Sequence, residues 1–145
     1  MSLKRTSHSV YETNYHIVWC PKYRRDIFKS PEIRKRASII IGEVCIEYGF
    51  DAEEIEVSLE HVNAMLSFPP SRSIGQVVGT IKSITAKFLF REFPELRRRL
   101  WAGELWEDGY FVRTVGRRMT SEVIKRYIQR HREIKQGPEQ LRMKL

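Results

Sequence analysis

The chain has 145 residues, 41% hydrophobic and 30% charged, which is enough for one domain with its own core and too little for two. Its 26 Lys and Arg against 18 Asp and Glu leave a net charge of +8, which favours a polyanionic partner without identifying one. No apolar run approaches the about 18 residues a membrane span needs, the first residues lack the apolar stretch of a signal peptide, and the two cysteines, Cys20 and Cys45, fit neither a zinc spacing nor a disulfide framework; a cytoplasmic protein with reduced thiols is expected.

In chain order, Tyr15 to Trp19 (YHIVW) is rich in strand formers and is closed by Pro21. Ser30 is placed to cap a helix with Pro31 in its first position. Ile33, Ala37, Ile40, Ile41, Val44 and Tyr48 then recur at helical spacing, and Gly49 ends the run. Ile55, Val57 and Leu59 alternate with polar residues as a second strand, and His61 to Phe68 reads as its antiparallel partner, stopped by Pro69 and Pro70. Ser73 and Gln76 form a possible capping box for a second helix, whose apolar face is Val77, Val78, Ile81, Ile84, Phe88 and Leu89. A short helical turn over Pro94 to Leu100, a fourth strand over Tyr110 to Val115 and a last helix from Thr120 or Ser121 complete the series.

The order β-α-β-β-α-β-α predicts an α+β fold: a ferredoxin-like or RRM-like four-stranded antiparallel sheet with two helices on one face and an added C-terminal helix. One domain spans residues 1–145, with 1–12 and 137–145 as flexible ends. In the third strand Val62, Ala64 and Leu66 suit the helix-covered face, which sends His61, Asn63 and Met65 to the opposite one.

Two pairs of residues on these elements could carry chemistry. His61 and Asn63 are two apart on a strand, hence on one face and ~6–7 Å apart. Tyr127 and His131 are four apart on the last helix, hence also on one face. Taken singly, each pair reads as an ordinary hydrogen-bonding or packing set; together they could hold one divalent cation with a phenol beside it. All three ligands, His61, Asn63 and His131, are neutral. A bound Mg²⁺ or Mn²⁺ would therefore keep its full charge for a phosphate oxygen, and two imidazoles with one amide suit Mn²⁺ somewhat better. Tyr127 would be the nucleophile, its phenol pKa lowered from ~10 by Lys125, Arg126 or Arg130.

On these residues the chain resembles the single-tyrosine HUH transposases of the IS-two-hundred type, from YHIVWCPKYRR through EHVNAMLSFPP and ELWEDGYFVRTVG to SEVIKRYIQRH. The resemblance implies a DNA transposase that cleaves and rejoins single strands at insertion-sequence ends through a 5′-phosphotyrosine, with Mg²⁺ or Mn²⁺. It also implies a homodimer with composite active sites, hairpin recognition, and association with the nucleoid when bound to DNA. His61 matches the first histidine of the His-hydrophobic-His motif and Val62 its middle residue. Asn63 stands where the second histidine is expected; Tyr127 matches the nucleophile, and His131 stands where the family usually has a glutamine. The amide and one imidazole have thus changed places within one ligand set.

Lys22, Arg24, Arg25, Lys82, Lys87, Arg117 and Arg118 are candidate DNA-backbone contacts on charge alone. Tyr23, Trp101, Trp106 and Tyr110 could stack on unpaired bases; packing roles for Trp101, Trp106 and Tyr110 are equally open. The competing functions are a non-catalytic hairpin-binding relative and a replication-initiator-like nickase.

Overall fold

The computed structural model of the chain describes residues 3–22, 27–100 and 103–116. Within them, β1 (Lys4–Arg5) and β2 (Val10–Tyr11) form a hairpin ahead of β3 (Tyr15–Trp19). A short 3-10 turn at Ile27–Lys29 leads into α1 (Pro31–Tyr48), followed by β4 (Asp51–Val57) and β5 (Val62–Ser67). Then come α2 (Ile74–Glu92), α3 (Pro94–Arg99) and β6 (Phe111–Thr114). The sheet order is β4-β5-β3-β6 with every pairing antiparallel, which is the ferredoxin-like α+β plan read from the element order. The expected last helix lies outside the described residues. Residues 1–12, expected as a flexible end, include the β1–β2 hairpin, and Lys4 pairs with Asp51 at the start of β4.

Local chemistry sets the helix ends. The Ser30 hydroxyl accepts from the Ile33 amide at 3.3 Å, with Pro31 in the first turn where no amide is needed. Gly49 closes α1 at φ 74°, a left-handed conformation that costs glycine nothing. At α2 the capping box is complete: the Gln76 amide donates to Ser73 Oγ at 3.0 Å, and the Ser73 amide donates to Gln76 Oε1 at 3.1 Å.

The core lies between the two long helices and one face of the sheet. Ile17 and Trp19 of β3 and Val62, Ala64 and Leu66 of β5 meet Ile33, Ala37, Ile40, Ile41 and Val44 of α1 and Val77, Val78, Ile81 and Leu89 of α2. Burying each large aliphatic side chain contributes about 1.5–3 kcal/mol. A one-residue slip of β5 would expose Val62 and Leu66 and bury Asn63, so the register is strongly enforced. Cys45 is buried in this core, and burial pushes its thiol up to about 11, which keeps it protonated and unreactive at neutral pH.

Three expectations shift at element edges. β4 ends at Val57, so Leu59 sits in the β4–β5 turn, 51% exposed, rather than in the strand. His61 also falls in that turn: its carbonyl accepts from both the Ser58 amide and the Ser58 hydroxyl, which ends the ladder one residue before β5. On α2 the buried stripe runs through Thr85 and Phe90, while Phe88 is 37% exposed with the Arg91 guanidinium 5.3 Å from its ring centroid. The helical period carries the stripe from Ile81 to Thr85 and Leu89, and the apolar character of Phe88 does not override it.

The segment between α3 and β6 is anchored through its backbone. Pro21 bridges Trp106, the Lys22 amide donates to the Leu105 carbonyl at 2.7 Å, and the Glu107 amide donates to the Cys20 carbonyl at 2.9 Å. Trp106 packs edge-on against Trp19 and tilts over Phe28, and its indole N–H donates to the Lys82 carbonyl at 3.1 Å. For Trp106 the structure thus decides for packing over base stacking. The Lys82 ammonium returns the contact, donating to the carbonyls of Glu107 at 3.0 Å and Gly109 at 2.6 Å. Desolvation pulls its pKa below the ordinary lysine value, yet both carbonyls solvate the charge.

Two outcomes follow for urea unfolding. Ile81→Ala should lower the unfolding free energy by about 2–5 kcal/mol and Phe88→Ala by under about 1 kcal/mol; equal losses would contradict the orientation of α2. Lys82→Met should cost about 1 kcal/mol, because one part-buried and one exposed carbonyl lose a charged donor, whereas Lys87→Met on the exposed side should stay within about 0.5 kcal/mol.

Candidate active site

β5 presents two faces of opposite character. Val62, Ala64 and Leu66 are buried in the core, and Asn63 and Met65 between them are half-buried on the other side. Pairing extends that second face across the sheet. Asn63 is opposite Glu56 of β4 and Val18 of β3, Met65 is opposite Glu54 and His16, and His16 and Val18 are in turn opposite Arg113 and Phe111 of β6. No described helix covers this face. Its Phe111 is 58% exposed.

His61 sits at the end of this face, in the turn held by Ser58. With Lys29, Ser58, Leu59 and Glu60 it lines an open depression of about 520 Å³. Its imidazole therefore stands at an accessible rim, next to one cation and one carboxylate. Asn63, two residues on, is engaged from the neighbouring strand: His16 Nε2 lies 3.0 Å from Asn63 Oδ1. A carboxamide oxygen carries no proton, so the imidazole is the donor, and the second lone pair of that oxygen stays open.

The described residues fit a divalent cation in their donor chemistry: an imidazole in the turn at the rim and, two residues on in β5, an amide oxygen with a second lone pair, with the Glu56 carboxylate across from the amide. Among the described residues no three His, Cys, Asp or Glu side chains group around a common point, so His61 and Asn63 form a partial set. His131, the expected third ligand, and Tyr127, the expected nucleophile, lie outside the described residues.

The basic candidates divide. The Lys22 ammonium pairs with the Glu104 carboxylate at 2.6 Å, which holds that carboxyl below its usual range. Lys82 is committed to the two carbonyls described above, and Lys87 is exposed on α2. Arg24, Arg25, Arg117 and Arg118 lie outside the described residues, as do Tyr23 and Trp101. Tyr110 is 41% exposed. Three members of the site escaped the sequence reading. Lys29 and Glu60 join His61 only through the turn geometry. The signal for His16 was present in the alternation of YHIVW: once Ile17 and Trp19 point to the core, His16 must point to the face of Asn63.

Comparison with known proteins bears on the family and the fold. Residues 9–131 match the family of IS200-like transposases. The chain is 30% identical over 129 residues to the ISDra2 transposase TnpA of Deinococcus radiodurans, covering 89% of this chain and 91% of that one. It is 31% identical over 138 residues to the transposase for insertion sequence element IS200 of Salmonella typhimurium, covering 95% and 89%. The fold superposes on a crystal structure of a protein from Deinococcus radiodurans R1 assigned as a transposase, with a TM-score of 0.70 and 29% identity over 90% of this chain and 96% of the other. It also shares its fold with a REP-associated tyrosine transposase bound to a REP hairpin, at a TM-score of 0.53 and 14% identity over 87% and 68% of the two chains. With a family match running through nearly the whole length, on a sheet that sets His61 and Asn63 at one accessible end, the chain belongs to the IS200-like transposases.

Proposed function

We propose that this transposase acts on single-stranded DNA at the ends of its insertion sequence, cutting and rejoining strands through Tyr127. The observation that carries this reading is the extent of the family match, residues 9–131, which takes in His61, Asn63, Tyr127 and His131 together. The phenol gives up its proton and its oxygen attacks a backbone phosphorus. The bond from phosphorus to the 3′ oxygen breaks, leaving a 5′-phosphotyrosine and a free 3′-OH. A 3′-OH from another cleaved strand then attacks the phosphotyrosine, joins the new ends and releases the phenol. Both steps exchange one phosphodiester for another, so no external energy source is needed.

His61, Asn63 and His131 are the residues that would hold Mg²⁺ or Mn²⁺. A bound cation supplies Lewis-acid polarisation of the scissile phosphate. Because the three ligands are neutral, the protein itself does not offset that charge, and Glu56 opposite Asn63 is the nearest carboxylate in the sheet register. The open depression lined by Lys29 and His61 offers a cation and an imidazole to a strand backbone. Hairpins at the element ends and a homodimer with composite sites complete the reading, as the family pattern implies.

Strands tiled across the flanks of the gene, incubated with the protein and Mn²⁺ or Mg²⁺ and run on a denaturing gel, should give one covalent adduct. Tyr127→Phe should abolish the adduct and leave hairpin binding intact; an adduct that survives would remove Tyr127 as nucleophile. Absence of any adduct with hairpin binding intact would instead favour a non-catalytic DNA-binding relative, and cleavage without joining a nickase.

Asn63→His restores the family's ligand at this position and should keep or raise cation-dependent adduct formation. A complete loss in that variant would show that Asn63 has a task an imidazole cannot perform.

A further inference from the structure

We propose that His16 is a positioning residue for the Asn63 carboxamide, fixing which of its two ends faces the ligand side of the sheet. This rests on the reading of Asn63 as a cation ligand. Asparagine is a weaker choice than histidine at such a position for a geometric reason. Its terminal torsion is broad and roughly two-fold, so the oxygen and the NH₂ group exchange places at little cost. Only the oxygen can bind a cation; the NH₂ end presents hydrogens to it and repels it.

The structure contains a partner that biases this choice when a cation is bound. His16 lies on β3 and Asn63 on β5, neighbouring strands in the sheet, and the register makes them diagonal partners: Val18 is opposite Asn63, and His16 is opposite Met65. The imidazole Nε2 and the amide oxygen meet at 3.0 Å in a half-buried setting. With the amide reversed, Nε2 keeps the bond only as an acceptor, its proton moved to Nδ1. A cation on the second lone pair of the amide oxygen and the Nε2–H tautomer of His16 therefore favour one another, and in that state the imidazole holds the oxygen in place. β3 is a central strand paired on both sides, with Ile17 and Trp19 locked in the core, so the imidazole is delivered from a rigid element. His16 acts through Asn63 and is not itself assigned as a ligand.

The test measures Mn²⁺ binding by the loss of the free-ion EPR signal in the full chain, with thermal melts as a check on folding. His16→Ala should weaken Mn²⁺ binding about tenfold or more, as loss of an orienting partner does at metal sites. His16→Gln, which can still donate to the amide oxygen, should recover most of that loss. In an Asn63→Ala background, His16→Ala should have no further effect. A full additional loss in that background, or unchanged binding in His16→Ala alone, overturns the proposal. If the wild-type chain captures no Mn²⁺, the metal reading fails separately, and ¹⁵N relaxation of the Asn63 side-chain amide decides the point. An amide ordered in the wild type and averaged in His16→Ala supports positioning; equal mobility in the two overturns it.

Discussion

Alternation along β5 governs everything on the open face of this sheet. Val62, Ala64 and Leu66 are at most 1% exposed, and their burial against α1 and α2 holds the strand in one register. The period of two then leaves Asn63 no alternative to the uncovered side. β3 obeys the same rule through Ile17 and Trp19, which puts His16 on that side as well. The meeting of an imidazole and an amide 47 residues apart in sequence is thus a by-product of core packing. Neither polar residue has to drive the arrangement, so each is free to serve chemistry.

The remaining described architecture keeps that face in place, and no described helix covers it. The caps of α1 and α2 are satisfied by Ser30 and by the Ser73–Gln76 pair, so both helices begin where the sheet needs cover. The segment that follows α3 is pinned by Trp106 and Lys82 before the chain enters β6. That pinning brings Arg113 opposite His16 and Phe111 opposite Val18. A cation and an aromatic ring therefore lie at the β6 side of the face, and the carboxylates of Glu54 and Glu56 at the β4 side. The face is polarised across the strands, from basic and aromatic to acidic, with the His16–Asn63 pair on the two central strands.

The parts of this arrangement governed by local chemistry could be read directly from the sequence. Capping residues, the proline stops and the parity of VNAML depend on neighbours within a few positions, and each is found where the pattern placed it. Asn63 was legible because strand parity alone fixes its face, whereas His61 was read as part of the same strand and falls in the turn before it. His16 was not, because its relation to Asn63 depends on which strands are neighbours, and four strands can be ordered in many ways. Lys82 misled for a related reason: a basic residue on a helix looks the same in sequence whether its ammonium meets a phosphate or a carbonyl 27 residues away. Leu59 and Phe88 were placed by hydrophobicity, and geometry overruled them, through a turn in one case and the helical period in the other. Tyr127 and His131 owe their assignment to the family pattern and their four-residue spacing.

The Lys82 clamp has a consequence for how this protein can change over generations. Its ammonium recognises main-chain oxygens at positions 107 and 109 and takes no account of the side chain that Glu107 carries. Gly109, at φ 84°, is tied to its identity by backbone conformation, whereas the clamp imposes no such restriction at 107. The clamp by itself therefore holds the path of the chain into the sheet through main-chain atoms. The clamp thus constrains the two positions unequally, one through its main-chain oxygen and the other through the residue type that reaches its conformation without steric cost.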